Sequence, residues 1–245
     1  MTPYRLIPRL DIKSSKLIKP INLEGLRIVG DPNEYALKYY EEKADELLFM
    51  DCVATLYGRN NLSDVIFKAT KDIFIPITVG GGIRNVEDAL RILRCGADKV
   101  AINSQAVKNP SFISEVASYI GSQSLVLSVE AKKRENNSWE VFTSNGRDST
   151  GLDVISWIEQ SVKLGVGEVL VTSIDKEGTG KGFDIDLATK IKKITDVPII
   201  LSGGFGSNDD AKKAINKAKV DAIAVADAIH FNKTSIKEIK DSLKK

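Results

Sequence analysis

Apolar residues along this chain cluster into eight short runs, and longer amphipathic segments separate one run from the next. Most runs are almost continuously apolar, which is typical of parallel strands covered on both faces. The runs occupy residues 5–11, 46–51, 75–80, 99–103, 124–130, 168–173, 197–202 and 221–226. Helical patterns cover roughly 33–43, 61–71, 86–95, 111–119, 152–164, 186–194, 208–217 and 234–243. This alternation predicts an α/β protein built from βα units.

Eight βα units within 245 residues predict a single-domain (β/α)8 TIM barrel that spans residues 1–245. An open doubly wound sheet is the alternative, but it usually carries a glycine-rich turn after the first strand, and the sequence has none there. The segment 12–31 has no clear periodicity, and its length predicts a binding loop or lid.

The second half of the chain resembles the first. Residues 79–110 match the pattern of residues 201–232, and Glu130 follows Asp11 by 119 positions (130 − 11). A repeat of this length predicts two half-barrels, about 1–120 and 121–245, with four βα units in each.

A carboxylate ends the first predicted strand of each half, Asp11 in one and Glu130 in the other. The strand C-termini of a barrel form its active face, so both carboxylates are expected to face one cavity. Two carboxylates in one cavity can divide acid and base work between them. Each could instead cap a loop or pair with a nearby lysine, but the related pair favours a catalytic role.

Small residues follow four predicted strands, and they form two related pairs of turns. Residues 80–82 and 103–104 make one pair, and residues 203–206 and 226–228 make the other. Such turns let backbone N–H groups close around a phosphate, so two pairs predict a substrate with a phosphate at each end. Plain tight turns are the alternative. Lys19 could reach a phosphate or a partner, or it could be an exposed lysine.

Four charged residues stand at or next to the first positions of predicted strands: Arg5, Glu46, Lys99 and Glu168. Charges that begin apolar strands must neutralise one another if they are buried. The group is therefore either a structural ring of salt bridges at the bottom of the barrel or a gated opening into it.

The composition narrows the function classes. With 35 basic and 33 acidic residues the net charge is +2, which gives no electrostatic reason to expect nucleic acid or an acidic membrane as a partner. The chain lacks a membrane-length apolar stretch and a signal-peptide pattern, so a cytoplasmic protein is expected. Cys52, Cys95 and the lone His230 show no metal-ligand spacing, so we predict reduced thiols, a structural histidine, no metal and no cofactor.

Several segments together resemble the cyclase subunit of imidazole glycerol phosphate synthase from histidine biosynthesis. They include "IPRLDIK", "IPITVGGGIRNVEDA", "VTSIDKEGTGKGFD" and "VPIILSGGFGS", and the resemblance covers nearly the whole chain. It implies a lyase that works as a heterodimer with a glutaminase subunit. Ammonia from that subunit would convert a phosphoribulosyl-formimino intermediate into imidazole glycerol phosphate and an aminoimidazole carboxamide ribotide.

The resemblance also implies roles for individual positions. Asp11 and Glu130 take the two catalytic positions. The charged residues that match the ammonia gate are Arg5, Glu46, Lys99 and Glu168. The positions that match substrate and phosphate contacts are Lys19, Gly82, Asn103, Ser104, Glu177, Gly178, Gly204, Ala226 and Asp227.

Two positions depart from the family pattern, which has Asp at the place of Glu130 and Ser at the place of Asp227. The extra methylene moves a carboxylate by about 1.5 Å, and a carboxylate repels a phosphate by about 1 kcal/mol at 4 Å in water. Two alternatives therefore stay open. One is a paralogue that helps a sugar amidotransferase form an acetamidino group on a nucleotide-linked surface sugar, and the other is a non-catalytic activator of a glutaminase. The histidine-type cyclase is preferred because most matching motifs favour it.

Overall fold

The computed structural model describes residues 4–52 and 62–244. Its strands are β1 (Arg5–Lys13), β2 (Lys16–Ile21), β3 (Glu24–Gly30), β4 (Leu47–Asp51), β5 (Ile77–Gly80), β6 (Lys99–Ile102), β7 (Leu125–Lys133), β8 (Trp139–Thr143), β9 (Asp148–Asp153), β10 (Glu168–Ser173), β11 (Ile199–Ser202) and β12 (Ala222–Val225). Its α-helices are α1 (Pro32–Glu41), α2 (Ser63–Ala69), α3 (Val86–Arg94), α4 (Ser104–Lys108), α5 (Ser111–Ile120), α6 (Val154–Lys163), α7 (Ile185–Lys192), α8 (Asn208–Asn216), α9 (Asp227–His230) and α10 (Ile236–Leu243).

Eight of these strands pair in parallel and close into a barrel, in the order β1, β4, β5, β6, β7, β10, β11 and β12, with β12 returning to β1. Helices follow the barrel strands, as the alternation of patterns predicts. The predicted (β/α)8 barrel is confirmed. The predicted strand at 75–80 begins two residues later, at Ile77, because residues 75 and 76 belong to the loop that enters it.

Two apolar layers hold the barrel together. The larger layer lies between the strands and the surrounding helices, and it includes Leu6, Leu10 and Phe49, which are fully buried. The smaller layer fills the lumen, where bulky branched side chains are usual in this fold. Its members are Ile7, Leu48, Ala101, Val126, Leu170, Ile200, Ala222 and Ala224. The lumen is therefore a packed core below the C-terminal face.

The segment 12–31, predicted to be a binding loop or lid, has regular structure in place of an irregular loop. β1 continues to Lys13, and β2 and β3 form an antiparallel ribbon that stands on the C-terminal face. Ser14 and Asn22 make its turns in the left-handed region, at φ 57° and 48°. The ribbon lacks the long apolar run of a barrel strand, which is why its pattern gave no strand signal.

A second antiparallel ribbon extends from the other half of the barrel. β7 runs past Glu130 to Lys133, then β8 and β9 add to it, and Glu130 pairs with Phe142 of β8. The barrel strands β1 and β7 are both nine residues long, whereas β5, β6, β11 and β12 have four residues each. The two long strands are the ones that carry the candidate catalytic carboxylates.

Candidate active site

Asp11 is buried near the end of β1, with no exposed surface. Its Oδ1 accepts a hydrogen bond from Arg9 Nε at 2.8 Å, and Lys19 Nζ lies 3.5 Å from its Oδ2. Burial alone would raise the pKa of Asp11, but the charges of Arg9 and Lys19 outweigh it and hold that pKa below its usual value. Asp11 is therefore ionised at neutral pH.

Glu130 lies at the matching place on β7, and its surroundings are different. It lines a cavity of about 120 Å³ at the C-terminal face, which Arg9 also lines. Its Oε2 accepts a hydrogen bond from the Gly146 backbone N–H at 2.8 Å. Burial raises the pKa of Glu130 to about 7, because the Gly146 hydrogen bond and the Arg9 charge offset only part of the desolvation. A carboxyl group with this pKa can both give and take a proton near neutral pH.

The structure differs from the predicted arrangement of two carboxylates that face one cavity. Glu130 lines this cavity, but Asp11 is not among the described residues that line it. Arg9 stands in front of Asp11, and its side chain is the nearer group to the cavity. The difference arises because the carboxylate of Asp11 turns toward the cations beside it.

The first predicted phosphate end lies in the same cavity as Glu130. Gly82, Asn103 and Ser104 line it, together with the cationic side chains of Arg84 and Lys108. The Nδ2 of Asn103 donates to Phe142 O at 3.3 Å, so β8 holds that side chain in place. The structure thus brings together all three residues predicted here, and two cations lie beside them.

The second predicted phosphate end is a separate, narrower cleft of about 20 Å³. Its lining includes Lys19 and the five predicted residues Glu177, Gly178, Gly204, Ala226 and Asp227. Gly204 has φ +108°, and a Cβ there would lie 2.2 Å from Gly182 O, so this turn needs glycine. The carboxylate of Asp227 accepts a salt bridge from Lys233 at 2.6 Å.

Lys19 lies on β2 of the first ribbon and is only 2% exposed, so the exposed-lysine alternative is wrong. Its Nζ forms an ion pair with Glu177 and lies near Asp11. Lys19 therefore links Asp11 to the narrow cleft.

The four charged residues at the strand starts form one connected group at the opposite end of the barrel. Arg5 bonds to Glu46 at 2.8 Å and also to Glu168, while Lys99 lies 2.8 Å from Glu168 and 3.2 Å from Glu46. Both glutamates are buried and both cations are partly exposed. Each acid thus contacts both cations, and the ring lies directly below the apolar layer of the lumen. An open depression of about 530 Å³ borders it on the outside.

His230 is buried beside β1, next to the candidate active site. Its Nδ1 lies 2.6 Å from the Tyr39 hydroxyl, and its Nε2 lies 3.1 Å from Arg9 O. Burial lowers the pKa of His230 to about 4, so the ring is neutral and supports the backbone of β1. This placement agrees with a structural role. Cys52 and Cys95 are free thiols.

Comparison with known proteins identifies the family. The family model described as "Histidine biosynthesis protein" matches residues 5–235. An imidazole glycerol phosphate synthase subunit HisF from Legionella pneumophila is 57% identical over 210 residues, which is 86% of this chain and 99% of that protein. The HisF subunits of Bacillus cereus (strain ATCC 10987 / NRS 248) and Clostridium botulinum (strain Okra / Type B1) are each 43% identical over 100% of this chain and 97% of their own lengths.

This chain belongs to the HisF family of histidine-biosynthesis proteins. Membership confirms the predicted family, and these comparisons give no support to the sugar-amidotransferase or activator alternatives.

Within this HisF-family barrel, sequence reasoning missed one functional candidate, Arg9. Its signal was present, since "RLIPRLD" places Arg5, Ile7, Arg9 and Asp11 at alternate positions of one strand, which share a face. An arginine in the middle of a buried apolar strand requires a partner inside the protein.

In residues 4–52 and 62–244, no three or more His, Cys, Asp or Glu side chains are grouped so that they could hold a metal ion. None of the helices in those ranges combines the length and the apolar character needed to cross a membrane.

Proposed function

We propose that this chain is the ammonia-dependent cyclase of imidazole glycerol phosphate synthase, a lyase of histidine biosynthesis. The observation that carries the proposal is the cavity where Glu130, Gly82 and Ser104 meet at the C-terminal face of a HisF-family barrel. A carboxyl group with a pKa of about 7 lies there beside a glycine turn and two cations, which suits proton transfer on a phosphorylated substrate.

The substrate is the phosphoribulosyl-formimino aminoimidazole carboxamide ribotide. One phosphate binds near Gly82, Asn103 and Ser104, and the other approaches Gly204 and Ala226. Ammonia adds to the ribulosyl-formimino part, and the imidazole ring closes with loss of water. The carbon–nitrogen bond to the aminoimidazole carboxamide ribotide breaks. Imidazole glycerol phosphate and that ribotide are the products.

Asp11 and Glu130 are the two catalytic carboxyl groups of this reaction, and their roles differ. Glu130 can give or take a proton at neutral pH because its pKa lies near 7. Asp11 is ionised, so it can accept hydrogen bonds from the ammonia nitrogen or from the substrate. Lys19 and Glu177 hold the first ribbon against the narrow cleft.

The partner in this proposal is a glutaminase subunit that docks at the N-terminal face of the barrel. The names of the relatives describe subunits of a synthase, which supports a complex. Ammonia would enter past the ring of Arg5, Glu46, Lys99 and Glu168. The open depression beside that ring, lined by Arg5, Lys99 and Glu168 among others, lies where the partner would deliver it.

The test is turnover of the purified chain with the phosphoribulosyl-formimino substrate and an ammonium salt at alkaline pH. Formation of both products supports the proposal. The variant Glu130→Asp/Asp227→Ser is assayed beside it, since it carries the usual family residues. Activity in that variant but none in the unaltered chain would overturn the proposal and assign another substrate to this scaffold.

A second arm tests the partner by comparing ammonium-driven turnover with turnover on glutamine plus a HisF-compatible glutaminase. Glu46→Gln should lower only the glutamine-driven rate, because it opens the ring without touching the cavity. Equal loss in both assays would contradict a gate role for the ring.

A further inference from the structure

Arg9 lies inside the barrel, between the apolar layer of the lumen and the candidate active site. Its side chain is only 3% exposed, and arginine is almost never buried without partners. Its Nε donates to Asp11, and its Nη1 donates to Thr172 Oγ1 at 2.8 Å and to Ser202 Oγ at 3.2 Å. Thr172 and Ser202 belong to β10 and β11, so the guanidinium crosses the lumen from β1 to another part of the wall.

The second half of the chain has no matching cation. Ser128 precedes Glu130 by two positions, as Arg9 precedes Asp11, and it lines the same cavity as Arg9. Ser128, Thr172 and Ser202 all carry small hydroxyl side chains. These short side chains leave room in the lumen for the long side chain of Arg9. Among the described residues, Arg9 supplies the guanidinium at this level of the lumen, where it bonds to Asp11 and leaves Glu130 beside the cavity.

Titratable groups from several other elements interact electrostatically with Arg9 or Asp11. They are Lys19 on β2, Cys52 after β4, Glu130 on β7, Glu177 after β10 and His230 in α9. Lys19 is shared with Glu177 and stays 3.5 Å from Asp11, so it is the weaker partner. Within the described part of the chain, Arg9 makes the one side-chain hydrogen bond to the carboxylate of Asp11.

We propose that Arg9 is a positioning residue that keeps Asp11 in the carboxylate form and leaves proton exchange in the cavity to Glu130. A guanidinium stays charged at every pH at which the protein works, so its hold on Asp11 does not change during the reaction. Its two other hydrogen bonds fix its plane, which in turn fixes the direction of Asp11. The inference rests on the proposed cyclase function, because Asp11 has a catalytic role only there.

The first test compares Arg9→Met with Arg9→Lys in ammonium-driven turnover, measured across the pH range and expressed per free ammonia. Arg9→Met should lose at least about tenfold in turnover at neutral pH, and the acid side of its profile should move up by about one pH unit or more. Arg9→Lys should keep the profile in place, because it keeps the charge. Arg94→Met, on the exposed face of α3, is the control for loss of an arginine.

An acid side that stays in place in Arg9→Met would overturn the proposal. Equal losses in Arg9→Met and Arg9→Lys with unchanged profiles would also overturn it, since they would indicate packing alone.

The second test needs no substrate, so it stands even if the proposed function fails. Thermal unfolding is measured for Asp11→Asn, Arg9→Met and the double variant. If the two residues act as a pair, each single change leaves a buried group without its partner, and the double variant loses less than the sum of the singles. Additive losses would overturn the pairing. If Arg9→Met does not fold, folding of the double variant supports the pairing, and failure of both overturns it.

Discussion

Asp11 and Glu130 stand at equivalent places on two long barrel strands, yet their surroundings differ in charge and in openness. Asp11 is enclosed between Arg9 and Lys19, and its pKa lies below the usual value. Glu130 borders a cavity, receives a backbone N–H from Gly146 and has its pKa raised to about 7. Two copies of one structural position thus differ in pKa because Arg9 and Lys19 offset the burial of Asp11, whereas the Gly146 N–H and the charge of Arg9 offset only part of the burial of Glu130.

Loss of the Asp11 carboxylate should lower turnover more than any other change considered for this pair. Asp11→Asn removes the charge that Arg9 and Lys19 share, so both cations lose their common partner beside the reacting centre. Ammonium-driven turnover should fall by about 10³-fold, within the usual range for loss of a preorganised electrostatic contact to the reacting groups. Steady-state assays check this. Asp186→Asn on the exposed start of α7 is the matched control, and near-normal turnover in Asp11→Asn would contradict the role.

Removal of the Glu130 charge should stabilise the protein at alkaline pH. Burial disfavours the ionised form of Glu130 in the folded state and raises its pKa from 4.5 to about 7. The free-energy cost of ionised Glu130 to the folded state therefore grows between pH 4.5 and about pH 7 and stays constant above that. Glu130→Gln should therefore gain roughly 3 kcal/mol in the free energy of unfolding at pH 8 and close to nothing at pH 4. Urea unfolding at both pH values measures the difference.

The exposed Glu159 on α6 gives the control, Glu159→Gln, because it carries the same chemical change away from the cavity. A gain of the same size at pH 4 would show that the amide packs better than the acid, and it would remove the electrostatic explanation.

The sequence predicted the barrel because buried parallel strands leave a strong local mark, which is an unbroken apolar run such as "IILS" in β11. It also predicted strands that end at Asp11 and Glu130, whereas both strands continue past these residues, to Lys13 and Lys133. The two antiparallel ribbons left no such mark. Their strands mix polar and apolar residues, as "KLIKPI" of β2 shows, and each strand is held by pairing with the next strand of its own ribbon.

The difference in pKa between the two carboxylates could not be predicted from local sequence patterns. They depend on Arg9 reaching Thr172 and Ser202, which lie 163 and 193 positions away along the chain. Local patterns do not encode contacts of that range. The burial of Lys19 on β2 depends in the same way on Glu177.

The first ribbon lies close against the narrow cleft at Gly178. Gly178 and Gly25 have almost the same φ, +71° and +70°, but a Cβ on Gly178 would lie 2.8 Å from Pro20 O, whereas Gly25 has nothing within 4 Å. Gly25→Ala should cost about 1 kcal/mol for its φ alone. Gly178→Ala should cost about 1–3 kcal/mol more, because the clash is with backbone next to Lys19.

Urea unfolding of the two alanine variants checks the difference, and ammonium-driven turnover should fall only in Gly178→Ala. Equal stabilities would show that the ribbon adapts to the added methyl group and that its contact with the cleft is loose.

The two proposed phosphate sites differ in charge, and this difference should have a small effect on binding. Ser104 begins α4 at the first site, and Asp227 begins α9 at the second. The first site has the cations Arg84 and Lys108 beside it. The second site has the carboxylates of Glu177 and Asp227, which are ion-paired with Lys19 and Lys233. Asp227→Ser should tighten binding of the doubly phosphorylated substrate by about fivefold, equivalent to about 1 kcal/mol. Calorimetric titration measures it, with Asp186→Ser as the control. Weaker binding in Asp227→Ser would mean that the Asp227 carboxylate accepts hydrogen bonds from the substrate. The narrow cleft would then bind an uncharged hydrogen-bond donor of the substrate, and the two sites would bind different chemical groups.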